Sequence, residues 1–244
     1  LQNLHQHCTF CDGKDTPEEV VLEAIARGFG GIGFSSHCYM EYAKYYCMPL
    51  EKVPAYKQEI ARLKEKYGHL IDVFCGIEYD ICCPERPEGY DYVIGSVHGL
   101  KLDGEFYEFD GPVDHYRKLI NEHFAGDGMA FAEDYYTRFC DYIVKRKPDI
   151  VGHFDLITKF DEQYGPAFLG NPQYEKLAAK FAEITVKSGC VIEVNTGAIS
   201  RGYRKTPYPA TDIMRYLAEH GGKAVITSDS HSTEGLGCAY ELAY

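Results

Sequence analysis

Histidines and carboxylates recur in this chain at spacings that suit metal ligation. In "NLHQHCTFCDG", residues 3–13, His5 and His7 stand two apart, and Asp12 follows five residues after His7. On a strand, residues i and i+2 face the same side, so two histidines placed this way can grip one ion. "SDSH" repeats the spacing with Asp229 and His231. Between these ends lie His37 in "FSSH", Glu78 in "GIEYD", His98 in "GSVHG" and His153 in "VGHFD". A mixed imidazole and carboxylate set favours zinc, manganese or iron over calcium, which prefers all-oxygen shells. Nine candidate ligands are too many for one four-coordinate ion. They suit two or three divalent ions with one carboxylate shared.

The elements that must hold these residues are short apolar runs alternating with amphipathic stretches. Strands are expected near residues 3–7, 31–36, 71–78, 91–97, 149–153, 190–195 and 223–228. The first helix is well marked: Thr16 suits the N-cap, Pro17 the first turn, and Glu18 and Glu19 the positive helix end. Val20, Val21, Ala24 and Ile25 form its apolar stripe, and Gly28 stops it. Further helices are expected over 53–67, 114–123, 128–147, 172–187 and 210–220, whereas the link from "GIEYD" to "GSVHG" is too short for one. This alternation predicts a single α/β domain over residues 1–244. The expected fold is a distorted seven-stranded (β/α)7 barrel, TIM-barrel-like.

In such a barrel the C-terminal strand ends converge on one mouth, where active sites sit. Six of the seven expected strands carry a candidate ligand at or just past that end; the sixth ends in Asn195, a weaker donor. His69, His115, His123 and His220 have no such placement and read as surface residues. "CTFC" offers a competing chemistry, a redox pair or half of a zinc–thiolate site. No second CxxC accompanies it, so Cys8 and Cys11 read as packing residues.

Composition narrows the function classes. A net charge of −12 disfavours a protein that tracks long nucleic acid. No apolar run approaches the ~18 residues of a membrane span, and no secretory pattern is visible. Many of the ten cysteines lie in apolar runs, as reduced, buried cysteines do, so a cytoplasmic location is expected. Composition sets no oligomeric state.

In order along the chain, "HQHCTFCD", "SSH", "GIEYD", "YDYVIGSVHG", "GHFDL", "EVNTGA" and "SDSH" resemble the PHP (polymerase and histidinol phosphatase) family. "DYVIGSVHG" and "GHFDL" are most similar to its histidinol-phosphatase branch. The resemblance implies up to three metal ions: His5, His7, Glu78 and Asp229 on one, Glu78, His98 and His153 on a second, and Asp12, His37 and His231 on a third. Glu78, Asp229 and His231 would be the catalytic residues. One departure is Asn3, where the family often has aspartate.

The implied activity is hydrolysis of L-histidinol phosphate through a metal-bridging hydroxide, within histidine biosynthesis. Three divalent ions (about +6), three carboxylates and that hydroxide leave about +2, which matches a phosphate monoester dianion. Arg201, Lys159 and Arg204 are expected to clamp the phosphate. Glu105, Glu108 and Asp110 are candidate contacts for a substrate amine. A phosphodiesterase acting on small nucleotides is the alternative enzyme, and a metal-binding protein without catalysis the alternative class.

Overall fold

The structure is a computed structural model that describes every residue except 85, 166 and 244. Its first helix, α1 (Pro17–Ala26), starts where its caps predict. The Thr16 hydroxyl accepts the Glu19 amide, and the Glu19 carboxylate accepts the Thr16 amide, a reciprocal capping box. The other helices are α2 (Val53–Tyr67), α3 (Val113–His123), α4 (Gly128–Arg146), α5 (Asp161–Tyr164), α6 (Pro172–Ser188), α7 (Gly197–Ser200) and α8 (Thr211–Glu219). The strands are β1 (Gln2–Asn3), β2 (Gly31–Phe34), β3 (Asp72–Asp80), β4 (Tyr92–Ser96), β5 (Gly99–Leu102), β6 (Glu105–Glu108), β7 (Ile150–Val151), β8 (Val191–Asn195) and β9 (Lys223–Thr227).

Seven strands form one sheet in the order β1-β2-β3-β4-β7-β8-β9, every pairing parallel. Sheet order follows chain order, as a barrel requires. Closure happens at the mouth. Gln6 bridges Ser230 in parallel, the His7 amide donates to the Ser230 carbonyl at 2.8 Å, and the Ser230 amide donates to the His5 carbonyl at 3.3 Å. The first strand is shorter than its sequence pattern because side chains take over from the ladder beyond Asn3. Gln6 donates its amide to the Ser230 and His7 carbonyls, and its backbone N–H goes to the Ser35 hydroxyl.

Two apolar cores hold the barrel. The larger lies between sheet and helices and includes Ile32, Phe34, Ile77, Phe139 and Ile143. A small inner one fills the floor with Tyr92, Ile94 and Ile150. The Tyr92 ring crosses the barrel, and its hydroxyl donates to the Leu4 carbonyl at 2.5 Å. Glycine is required opposite it: a Cβ at Gly33 would lie 2.3 Å from the Tyr92 hydroxyl, and one at Gly76 2.2 Å from its ring.

An antiparallel hairpin of β5 and β6 stands at the mouth, turning at Asp103 and Gly104, both at positive φ. It occupies the short link region after His98. The Asp-Gly turn between alternating residues is a hairpin signal, and the strand reading of the sequence passed over it.

Candidate metal centre

Glu78 ends up beneath five imidazoles because β3 delivers it to the centre of the mouth. Its Oε2 lies 3.3 Å from His5 Nε2, 3.4 Å from His7 Nε2 and 2.9 Å from His37 Nδ1. Its Oε1 lies 3.3 Å from His98 Nε2 and 3.1 Å from His153 Nε2. Each carboxylate oxygen thus faces its own set of rings, the arrangement of a carboxylate between two cations. Asp229 Oδ1 is 3.6 Å from His5 Nε2 and 3.4 Å from His7 Nε2. Asp12 spans the outer edge, 3.7 Å from His37 Nε2 and 3.3 Å from His231 Nε2.

The structure therefore brings all nine sequence-selected residues to one place. The donor atoms of eight of them fall into three compact groups: His5, His7 and Asp229; His37, Glu78 and His98; and His7, Asp12, His37 and His231. His153 stands beside them, on Glu78 Oε1 at 3.1 Å. The grouping differs in detail from the expected one, because His37 leans on Glu78 as well as on Asp12.

The donor set fits metal ions. His5, His7, Glu78 and His153 are all but completely buried. His5 Nε2, His7 Nε2 and Glu78 Oε2 have no hydrogen-bond partner among the described residues. Buried polar atoms without partners are costly, and three converging on one point are the signature of ligands. Burial, with His231 and His37 beside it, pushes His7 down to about 3, whereas for His5 burial is outweighed by the Glu193, Asp229 and Glu78 carboxylates, which raise it. Burial alone would raise the Glu78 carboxyl, but His5, His37 and His98 overcome it and hold it well below the carboxylate range. Asp229 sits at φ 43°, a left-handed backbone in a non-glycine residue at the site itself.

Two carboxylates that sequence reasoning missed orient the rings. Glu193 Oε1 lies 2.5 Å from His5 Nδ1 and accepts from the Thr227 hydroxyl, while its Oε2 accepts the His153 amide at 2.7 Å. Asp80 Oδ2 lies 3.1 Å from His98 Nδ1. Metal-binding histidines generally point their second nitrogen at such a group. Asn195 is not among the grouped donors; its amide donates to Glu193 and Asp229. Asn3 contacts no imidazole. Its side chain accepts the Ser228 amide at 3.0 Å and donates to the His5 carbonyl, tying β1 to the end of β9.

Above the centre is a cleft of roughly 400 Å³. Arg201 reaches it, with its guanidinium on the Asp229 carbonyl at 2.9 Å and on Asp229 Oδ2 at 3.1 Å. Lys159 also lines it but is already paired with Asp110 at 2.8 Å, beneath the Tyr203 ring. Arg204 does not reach the cleft: its side chain is fully buried behind it, on Thr158 and Thr206. The placement corrects its expected part in the phosphate clamp. Tyr203, between the two arginines, lines the cleft, and the chain turns so that Arg201 and Arg204 point to opposite sides of the loop.

Glu108 and Asp110 line the cleft, whereas Glu105 lies outside it at the start of β6. Tyr45 lines the cleft with Glu108, and Tyr46 sets its ring edge-on to His37, 4.8 Å between centroids. His69, His115 and His220 are exposed, and His123 is half-buried against Tyr107. All ten cysteines are free. Cys11 is more than packing, since its sulfur lies 3.4 Å from His7 Nδ1. No helix among the described residues is long and apolar enough to cross a membrane.

Comparison with known proteins gives the same picture. A family model described as "PHP domain" matches residues 3–197. A probable histidinol-phosphatase of Deinococcus radiodurans is 30% identical over 97% of this chain and 88% of its own. One from Schizosaccharomyces pombe is 28% identical over 98% and 81%. Among solved structures, a Listeria monocytogenes protein described as a histidinol phosphatase superposes with a TM-score of 0.86 at 22% identity, over 99% of both chains. A Lactococcus lactis histidinol phosphate phosphatase, complexed with zinc, L-histidinol and phosphate, superposes at 0.71 and 22%, over 95% of this chain and 86% of its own. At these identities the structural likeness is one of fold.

Proposed function

We propose that this chain, which belongs to the PHP domain family, is a metal-dependent phosphomonoesterase that hydrolyses L-histidinol phosphate to L-histidinol and inorganic phosphate. The observation that carries the chemistry is Glu78, whose two oxygens face separate sets of buried imidazoles. Its relatives' names supply the substrate.

His5, His7, Glu78 and Asp229 would hold one ion, Glu78, His98 and His153 a second, and Asp12, His37 and His231 a third. Bound divalent ions of zinc, manganese or iron would supply an activated water at neutral pH and positive charge against the phosphoryl oxygens. Of the catalytic residues, Glu78 spans the inner ring sets. Asp229 ties Arg201 to the floor. His231 closes the outer edge with Asp12. Arg201 keeps donors that can meet a phosphate, because only part of its donor set is engaged by Asp229. Lys159 adds charge to the same wall while holding Asp110.

The far wall suits a cationic end. Glu108 has no cationic partner among the described residues and lines the cleft beside Tyr45. A cleft of roughly 400 Å³ suits a small phosphoester, and a dinucleotide would have to extend beyond it.

Phosphate release from L-histidinol phosphate, a mononucleotide and a dinucleotide, each at equal concentration, tests the substrate. Histidinol phosphate is expected to dominate, and Glu108→Gln to raise KM for it while sparing an aryl phosphate. Equal or faster turnover of either nucleotide would instead favour the phosphodiesterase or nucleotidase reading.

A further inference from the structure

We propose that Arg204 is a positioning residue: a buried guanidinium that locks the loop carrying Lys159 to the loop carrying Arg201, and so sets the phosphate-binding wall without touching substrate. The inference rests on the proposed phosphatase reading and on Arg201 and Lys159 facing the phosphate.

Arg204 is fully buried, a placement arginine adopts almost only when paired. Its Nη1 donates to the Thr158 hydroxyl at 2.7 Å, one residue before Lys159, and stands 3.8 Å from Asp155 Oδ2. Its Nη2 donates to the Thr206 hydroxyl at 3.0 Å on its own loop. Its Nε lies 3.8 Å from Glu162 Oε1, and Glu162 in turn accepts the Lys205 amide. Its guanidinium carbon lies over the Tyr208 ring, 4.6 Å from the centroid. A single planar fork therefore reads both loops at once, which a flexible ammonium cannot do.

Other contacts join the two loops as well: Glu162 accepts the Lys205 amide at 2.9 Å and the Thr206 hydroxyl at 3.3 Å. Gln163 donates to the Gly202 carbonyl at their outer rim, and Lys159 lies against the Tyr203 ring at 4.3 Å on the cleft side. The Asp155 partner is anchored too, accepting the Ala210 amide at 2.8 Å. Burying a charge pair is weak as a source of stability, and its best-attested use is to fix one arrangement against others. Here the arrangement fixed is the distance between two cations that must meet one dianion.

The test uses full-length, metal-loaded protein carrying Arg204→Lys, Arg204→Met or the neutralised pair Arg204→Met/Asp155→Asn. Kinetics on L-histidinol phosphate, inhibition by inorganic phosphate, bound metal and Tm are measured together. The expected result is a rise of about tenfold in both KM and the phosphate inhibition constant, the loss of roughly one charge-assisted hydrogen bond. Metal content stays at the wild-type level. The neutralised pair recovers Tm but not KM, which a merely structural role would not produce. Arg204→Lys keeps the buried charge, so it folds if the others do not, and it still shows the raised KM. Wild-type KM and phosphate inhibition in every folded variant would overturn the proposal. Arg201→Ala and Lys159→Ala serve as the separating control. If these too leave KM unchanged, the phosphate-wall reading itself has failed.

Discussion

Glu193 stands in the middle of β8 with every polar contact made inside the barrel. Its carboxylate holds His5, the His153 amide, Thr227 and Asn195 at once. Glu193→Gln keeps the shape but weakens the acceptor for His5, so metal retention should fall about 10- to 100-fold. Metal content after timed dialysis against a chelator measures this, and wild-type retention would contradict it. The nine candidate residues were legible in the sequence because strand ends are marked by turns and because histidines are scarce. Glu193 and Asp80 were not, although each sits two residues from a polar strand-end residue on the same face, Asn195 and Glu78. Buried carboxylates inside an apolar strand are as strong a signal as the ligands they orient. Arg204 was misplaced for a different reason. Arg201 reaches the cleft while Arg204, on the same loop, is buried behind it, and sequence alone does not say which of the two faces the cleft.

At the scale of elements, Tyr92 across the barrel floor couples β4 to β2 and β3. Gly33→Ala would press a methyl onto its hydroxyl, costing about 1–3 kcal/mol as other overpacked sites do. Tyr92→Phe in the same protein removes the clash and should recover part of the loss. Urea unfolding of the two single variants and the double one measures the coupling, and strict additivity would contradict the packing account.

Glu18 joins α1 to α2 through Lys66, Tyr67 and Arg62, which lower its pKa from 4.5 to about 2. A depressed carboxylate stabilises the fold above its unfolded pKa, and that contribution is lost as pH falls from 4.5 through about 2. The Tm gap between wild type and Glu18→Gln should therefore be present at pH 6, small because the groups are solvated, and close by pH 2 to 3. A gap that widens on acidification would contradict it. Helix boundaries such as α1 were readable from caps and periodicity. The two-residue β1 and β7 were not, because side-chain hydrogen bonds replace the ladder where the chain turns into the site.

For the whole molecule, a net charge of −12 coexists with a buried cluster of imidazoles and carboxylates whose donor atoms suit cations. Folding gathers Glu78 and its rings at one buried point, so ions held there would stabilise the native state by mass action. At a thousandfold excess over the dissociation constant this is about 4 kcal/mol. Chelation should then lower Tm by about 8–16 °C for a chain of this size, read by calorimetry. An unchanged Tm would mean that the cluster does not hold ions in the folded protein. The parallel barrel was legible as a whole, since strands and helices alternate in chain order and the sheet keeps that order. Its closure through Gln6 and Ser230 was not, because it rests on one isolated backbone bridge, reinforced by the Gln6 side-chain amide.

Phosphate release from L-histidinol phosphate by protein reconstituted with manganese, zinc or iron, with Glu78→Gln beside it, bears most directly on the central claim. The account predicts a kcat/KM of about 10⁴ M⁻¹s⁻¹ or above for the wild type, far beyond that for an aryl phosphate, and a collapse in the variant. Turnover that survives Glu78→Gln would contradict it.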